Sequence, residues 1–396
     1  MFLDRTFGVV YGDGDHNILV GTTASDLLIG MDGFDTLSGG AGADVLLGGG
    51  FDDTLDGGAD ADYMVGGNGI DIFLITQGSH HVAGEVIAGV FDALAFDSTT
   101  PGDTLVLQAT IAGVIVFCIG DLGGVTGGPL FAGLVNLNLD ASNLTYGTMI
   151  QGNNGSNLIT GTNFNDTMEG GFGDDVMAGL GGDDRINELY GGTDTVILRG
   201  SLAEYTFADG GSSSVSVVDG VAGRDGTDLL TGIELLNFNG VGYALFNGDG
   251  NGNSIDGGAD NDLILGFGDD DTIGAGGGND VVIGGAGDDV LDAGAGSDRF
   301  RYDSIGDGLD QILNFDGDPT DGQDVLDLDA LFDALGVATA DRAARVQITD
   351  MDGGGDGPTW LIQVDTDGAG GVDLDVATIA SADQITVNDD VQVGTL

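Results

Sequence analysis

The 396-residue chain contains no lysine. Its 8 basic residues are all arginine and face 66 acidic ones, a formal net charge of −58. Glutamate is nearly missing as well, with 5 Glu against 61 Asp. Without lysine, a P-loop and Schiff-base catalysis are both excluded. The shortage of positive charge excludes nucleic-acid binding through a basic footprint, because the phosphate backbone would be repelled. Cysteine occurs once, as Cys118, so no internal disulfide exists, and its apolar run predicts a buried thiol. That run, 111–119, is the longest apolar stretch and falls far short of the ~18 residues of a membrane span. The opening MFLDRTFGVV lacks the basic flank and apolar core of a secretory signal peptide.

What the chain has in excess is glycine and order. Glycine fills 78 positions, well above its usual share of about 7%. Hydrophobic residues make up 41%, too many for a solvated acidic tail. Residues 12–74 divide without a gap into seven nonapeptides, such as GGAGADVLL (39–47). Four more fill 152–187 and six fill 248–301, among them GGAGDDVLD (284–292). Position one is Gly, except for Ala275 and Ala293, and position eight is always large and apolar. Position six is Asp or Asn throughout: Asn17, Asp26, Asp35, Asp44, Asp53, Asp62 and Asp71; Asn157, Asp166, Asp175 and Asp184; Asn253, Asp262, Asp271, Asp280, Asp289 and Asp298. The three asparagines open their arrays, where a repeat lacks one neighbour and is expected to be atypical.

Each position has a physical reason. Glycines at one, two and four are expected to supply the left-handed conformations of a tight turn. The x-U-x that follows reads as a short strand with only its middle residue inward. Two nonads make one coil of a parallel solenoid, so the position-six carboxylates of units 18 residues apart stack. Stacked carboxylates beside turn carbonyls form an oxygen-rich site suited to Ca²⁺. One inward side chain per nonad is too little apolar burial to order so much glycine-rich backbone. Like-charge repulsion between unneutralised stacks widens the deficit. The arrays are therefore predicted to be largely unfolded without a divalent cation and to fold on binding it.

The nonads resemble the glycine-aspartate repeat of the repeats-in-toxin (RTX) family, GGxGxDxUx. The resemblance implies an all-β parallel β-roll with Ca²⁺ as cofactor, held between turns by position-six residues and backbone carbonyls. Pairing each unit with the second after it implies eleven potential sites, those with Asn17, Asn157 or Asn253 being weaker. Residues 297–331, with GGVDLDVATI (370–379), resemble the C-terminal target domain of type I secretion substrates. That implies a bacterial protein exported by type I machinery to the extracellular space or cell surface; a folded cap on the third array is the plainer reading. HHVAGEVIAG (80–89) resembles a linker between repeat arrays in bacterial secreted calcium-binding proteins.

The expected organisation is a first array (1–74), a β-rich inter-array segment (75–151), a short second array (152–198), a β-rich connector (199–247), a third array (248–301) and a C-terminal secretion-target or capping domain (302–396). A truncated unit is read at 191–198, a hairpin at 205–220, a return to the solenoid at 226–240 and a short helix near 330–335. Enzyme signatures fail: neither HExxH nor GxSxG occurs. His80, His81 and Glu85 read as an exposed linker group rather than a metal site. Acid pairs occur everywhere, so none is diagnostic, and no residue is expected to be catalytic. The expected function is a secreted, non-catalytic calcium-binding protein of the matrix, the cell surface or adhesion, its target unspecified. The alternative is an RTX-type secreted hydrolase or epimerase with unrecognised catalytic residues. A generic halophilic acidic protein fits poorly, because its acids would not be locked in phase.

Overall fold

The computed structural model describes residues 8–59, 62–68, 72–76, 93–95, 104–108, 115–118, 138–142, 147–152, 155–188, 190–211, 213–318, 322–351, 359–381, 385–387 and 389–393. Asp71, His80, His81, Glu85 and the 80–89 segment lie outside them, as does the side chain of Cys118. The chain forms two compact units, one of residues 1–205 with 217–233, the other of residues 206–216 with 234–396.

The first unit is built of parallel ladders whose strands pair with those 18 residues on. Leu28 lies beside Leu46 and Leu46 beside Met64 in one ladder; Leu19, Leu37 and Leu55 align likewise in the other. The reason is the x-U-x pattern: the middle residue of each short strand faces in, and its two neighbours face turn or solvent. Leu28, Leu37, Leu46, Leu55 and Met64 are fully buried, as are Ile159, Met168, Met177 and Ile186 of the second array. Parallel pairing continues where the glycine–aspartate pattern fades. Thr104–Gln108 pairs with Ile72–Thr76 and with Asn138–Asp140, which in turn pairs with Leu158–Thr160. Ile115–Cys118 pairs with Thr148–Gln151. These pieces of the inter-array segment are thus coils in register with the arrays, with Leu139 and Ile150 in the inward place. The truncated unit supplies the strand Thr195–Leu198, parallel to Val176–Ala178, and Thr227–Thr231 returns parallel to Arg185–Asn187.

In the second unit the inward rows run Phe246, Ile264, Val282, Phe300, Leu326, Val391 and Ile273, Leu291, Ile312, Ile379. The last members of both rows belong to the C-terminal segment, which extends the third array strand by strand. Leu374–Ala380 then pairs antiparallel with Thr359–Val364, and that strand with Val346–Asp350. A short helix, Asp329–Ala334, buries Leu331 and Phe332 against the same core; a second, Thr339–Arg342, follows it. No helix among the described residues is long and apolar enough to cross a membrane.

Candidate metal sites in the aspartate stacks

The position-six residues come together as the 18-residue spacing requires. Along the stacks the backbone N–H is donated to Oδ1 of the Asp one coil later: Asp26 to Asp44 and Asp35 to Asp53 at 2.7 Å, Asp166 to Asp184 at 2.7 Å, Asp262 to Asp280 and Asp271 to Asp289 at 2.8 Å. The opening asparagines donate to Asp35, Asp175 and Asp271 in the same way. A backbone donor to a carboxylate is a strong, charge-assisted contact, so one oxygen of each stacked Asp is fixed by the fold itself.

The other oxygen differs. Oδ2 of Asp35, Asp175, Asp184, Asp271, Asp280, Asp289 and Asp298 is buried and accepts no hydrogen bond. A buried carboxylate oxygen without a donor is costly unless a cation meets it. Second units of the arrays are built otherwise, because Oδ2 of Asp26, Asp166 and Asp262 accepts the N–H of Thr22, Thr162 and Gly258, respectively. Among the described residues, Arg199, Arg224, Arg299, Arg301 and Arg342 pair instead with Asp225, Asp219, Asp327, Asp303 and Asp329.

Glycine serves this site in two ways, one of them not the expected one. Positions two and four are left-handed, as at Gly40 (φ 104°) and Gly42 (φ 107°). Position one is not; Gly30, Gly39 and Gly48 have no positive φ. There the Cβ itself is excluded: one on Gly30 would collide with Asp35 Oδ2 and the Gly48 carbonyl oxygen, and one on Gly48 with Asp53 Oδ2 and the Gly66 carbonyl oxygen. Position one therefore keeps open a small cradle walled by a carboxylate and a carbonyl. An all-oxygen donor set around a space no side chain fills fits Ca²⁺.

Two of the array-opening asparagines, Asn17 and Asn253, are explained by their own turns. Asn17 Oδ1 accepts the N–H of Asp13, and its Nδ2 donates to Asp13 Oδ1; Asn253 repeats both contacts with Asp249. An aspartate there would set two carboxylates against each other.

Four further stack members escaped the sequence reading. Oδ1 of Asp194, Asp228, Asp310 and Asp324 accepts the N–H of Asp175, Asp184, Asp289 and Asp298, respectively. Each heads a D-x-U triplet whose third residue, Val196, Leu230, Ile312 or Leu326, is buried. The triplet was the available signal, but their separations of 19, 44, 21 and 26 residues break the period. Of the histidines, His16 stacks on Phe34 at 4.9 Å, and Phe34 meets Phe51 in a tilted contact at 5.4 Å, along the first array.

Burial, opposed only in part by these hydrogen bonds, raises the stacked carboxyls from 3.8 to about 7 at Asp175 and Asp280, and about 8 at Asp184 and Asp310. Asp271, Asp289, Asp298 and Asp324 rise to about 6 for the same reason. Between the unfolded and folded values the metal-free fold holds more protons than the unfolded chain. Its stability therefore falls as pH rises through the folded values and is least above them. Acidifying the calcium-free protein from about pH 9 to about pH 5 should increase its β-sheet circular dichroism. An unchanged or weakened signal would contradict this.

Comparison with known sequences agrees with the geometry. The family profile of the RTX calcium-binding nonapeptide repeat (4 copies) matches residues 11–46, 20–55, 38–73, 151–186, 247–282 and 274–304. No curated protein matches the chain. Similar solved structures include the AlgE6R3 subunit of the mannuronan C5-epimerase of Azotobacter vinelandii, 29% identical over 33% of this chain and 71% of that one, with a TM-score of 0.25. Extracellular lipase LipA of Serratia marcescens is 14% identical over 91% of this chain and 67% of that one, with a TM-score of 0.27. With glycine turns, stacked aspartates and the matching profile in all three arrays, this chain carries RTX calcium-binding nonapeptide repeats folded as a parallel β-roll.

Proposed function

We propose that the chain is a secreted bacterial protein that leaves the cell unfolded and folds when its aspartate stacks take up extracellular Ca²⁺. It then acts without catalysis, at the cell surface, in the matrix or in adhesion. The observation that carries this reading is the row of buried, donorless Oδ2 atoms beside the position-one cradles. Bound there, calcium would supply the positive charge that the stacks lack. The chain's own residues do the rest: position-six N–H groups orient the carboxylates, left-handed turns place the carbonyls, and position-eight side chains exclude water. Sites of extracellular type bind at ~10⁻⁴–10⁻³ M, so low cytosolic calcium leaves the chain extended and external calcium drives folding by mass action.

The export part of the proposal rests on the resemblance of residues 297–331 and 370–379 to a type I target domain. The same segment also closes the third array, through Asp310, Asp324 and the strand Leu374–Ala380. Deleting 302–396 in a host with type I machinery should move the chain from the medium to the cell pellet, read as total protein on a denaturing gel. Undiminished export would sink the targeting role.

A further inference from the structure

We infer that Asp175, Glu188 and Asp194 form a divalent-cation site of their own construction, the tightest in the chain. Glu188 follows the last regular unit of the second array (179–187) and stands where the next unit would place its position-one glycine. Instead of leaving a cradle, it sends a carboxylate back one coil. Glu188 Oε1 and Oε2 accept the N–H of Gly171 at 3.3 and 3.2 Å, and Oε1 also that of Gly170. Gly170 is the position-one glycine of the coil that holds Asp175, and a Cβ there would collide with Asp175 Oδ2. The Glu188 carboxylate therefore enters the space into which Asp175 Oδ2 already points.

Asp175 is fully buried, and that Oδ2 accepts no hydrogen bond. Asp194 closes the group from the following coil, its Oδ1 taking the Asp175 N–H at 2.7 Å. One oxygen from each of the three carboxylates lies within 4.8 Å of the others, and all three residues are buried. Ligands on opposite sides of Ca²⁺ are roughly 4.6–5.2 Å apart, twice its oxygen distance, so the three oxygens fit one coordination shell. A regular stack offers two carboxylates; this site offers three, and a third buried negative charge strengthens attraction for a cation. Backbone N–H groups hold Glu188 in place in the folded coil, so once the coil has formed its carboxylate needs no further ordering.

The inference rests on the calcium-binding reading. Its rival is that Glu188 plugs the cradle and abolishes one repeat site. Calcium binding to the full chain, followed by equilibrium dialysis with radioactive Ca²⁺, separates them. The wild type should bind one ion at a free concentration at least about tenfold below the rest. Glu188→Gln, which keeps the side-chain length, and Glu188→Gly, which restores the repeat residue, should both merge that ion with the remainder. No distinct first ion in the wild type, an unchanged first ion in both variants, or tighter binding by Glu188→Gly would each overturn the inference. A wild type that binds no calcium would overturn the calcium reading along with it.

Discussion

Replacing Asp271, Asp280 and Asp289 together with asparagine should raise the Ca²⁺ needed to fold the third array by at least about tenfold, because ligand charge sets affinity in such sites. The substitution is chosen to be narrow. Asparagine keeps Oδ1, so the ladder contacts from Asn253, Asp262 and Asp271 can persist. What disappears is negative charge at three buried oxygens that accept no hydrogen bond. In the absence of calcium the variant should be less destabilised than the wild type, since burial already penalises these carboxylates and raises them to about 6 or 7. The effect thus has opposite signs with and without metal. Loss of an ordinary structural contact would weaken the fold in both conditions. Hydrogen exchange across residues 248–301, with the first array as internal reference, reads both. Equal calcium dependence in variant and wild type would remove these aspartates from the metal sites.

Much of this was legible in the sequence, because a solenoid repeats its physics. Position eight is inward in every coil whose side chain is described, from Leu19 to Phe300, with Ile255 only partly buried at the edge of the third array. The 18-residue spacing of position six places Asp26 on Asp44 and Asp271 on Asp289. Other features were hidden for identifiable reasons. Glycine at position one was read as a turn residue, since a sequence does not distinguish a left-handed φ from a space that a Cβ would fill. Coils at 138–140 and 148–151 keep Leu139 and Ile150 inward but, like the strand at 104–108, lose the turn glycines, so periodicity alone did not extend the ladders through them. Asp228 is separated from Asp184 by an intervening excursion of the chain, and no local spacing rule reaches across 44 residues. Glu188 looked like the end of an array, whereas its carboxylate faces back into the last regular coil.

Removing the metal has the largest effect of all. Most of the described nonads bury one large side chain, although 257–265 and 275–283 bury three each, and the buried carboxylates of neighbouring coils repel one another. Asp194 raises the proton affinity of Asp175 through that repulsion, Asp228 that of Asp184 and Asp298 that of Asp280, in each case secondary to burial. Ordering a backbone with 78 glycines works against the fold as well. Local propensity offers little help, because the strands of the second array are only three or four residues long. The cation that meets the open oxygens is therefore part of the folding reaction rather than a late addition to a finished structure. Acid partly imitates it, by protonating the same carboxyls.

Far-UV circular dichroism of the full chain near neutral pH, first with excess chelator and then with millimolar Ca²⁺, tests this claim most directly. The account predicts a disordered spectrum in chelator and a cooperative gain of β-sheet signal on adding calcium, reversed by further chelator. A β-sheet spectrum of full strength in chelator, unchanged by calcium, would contradict it.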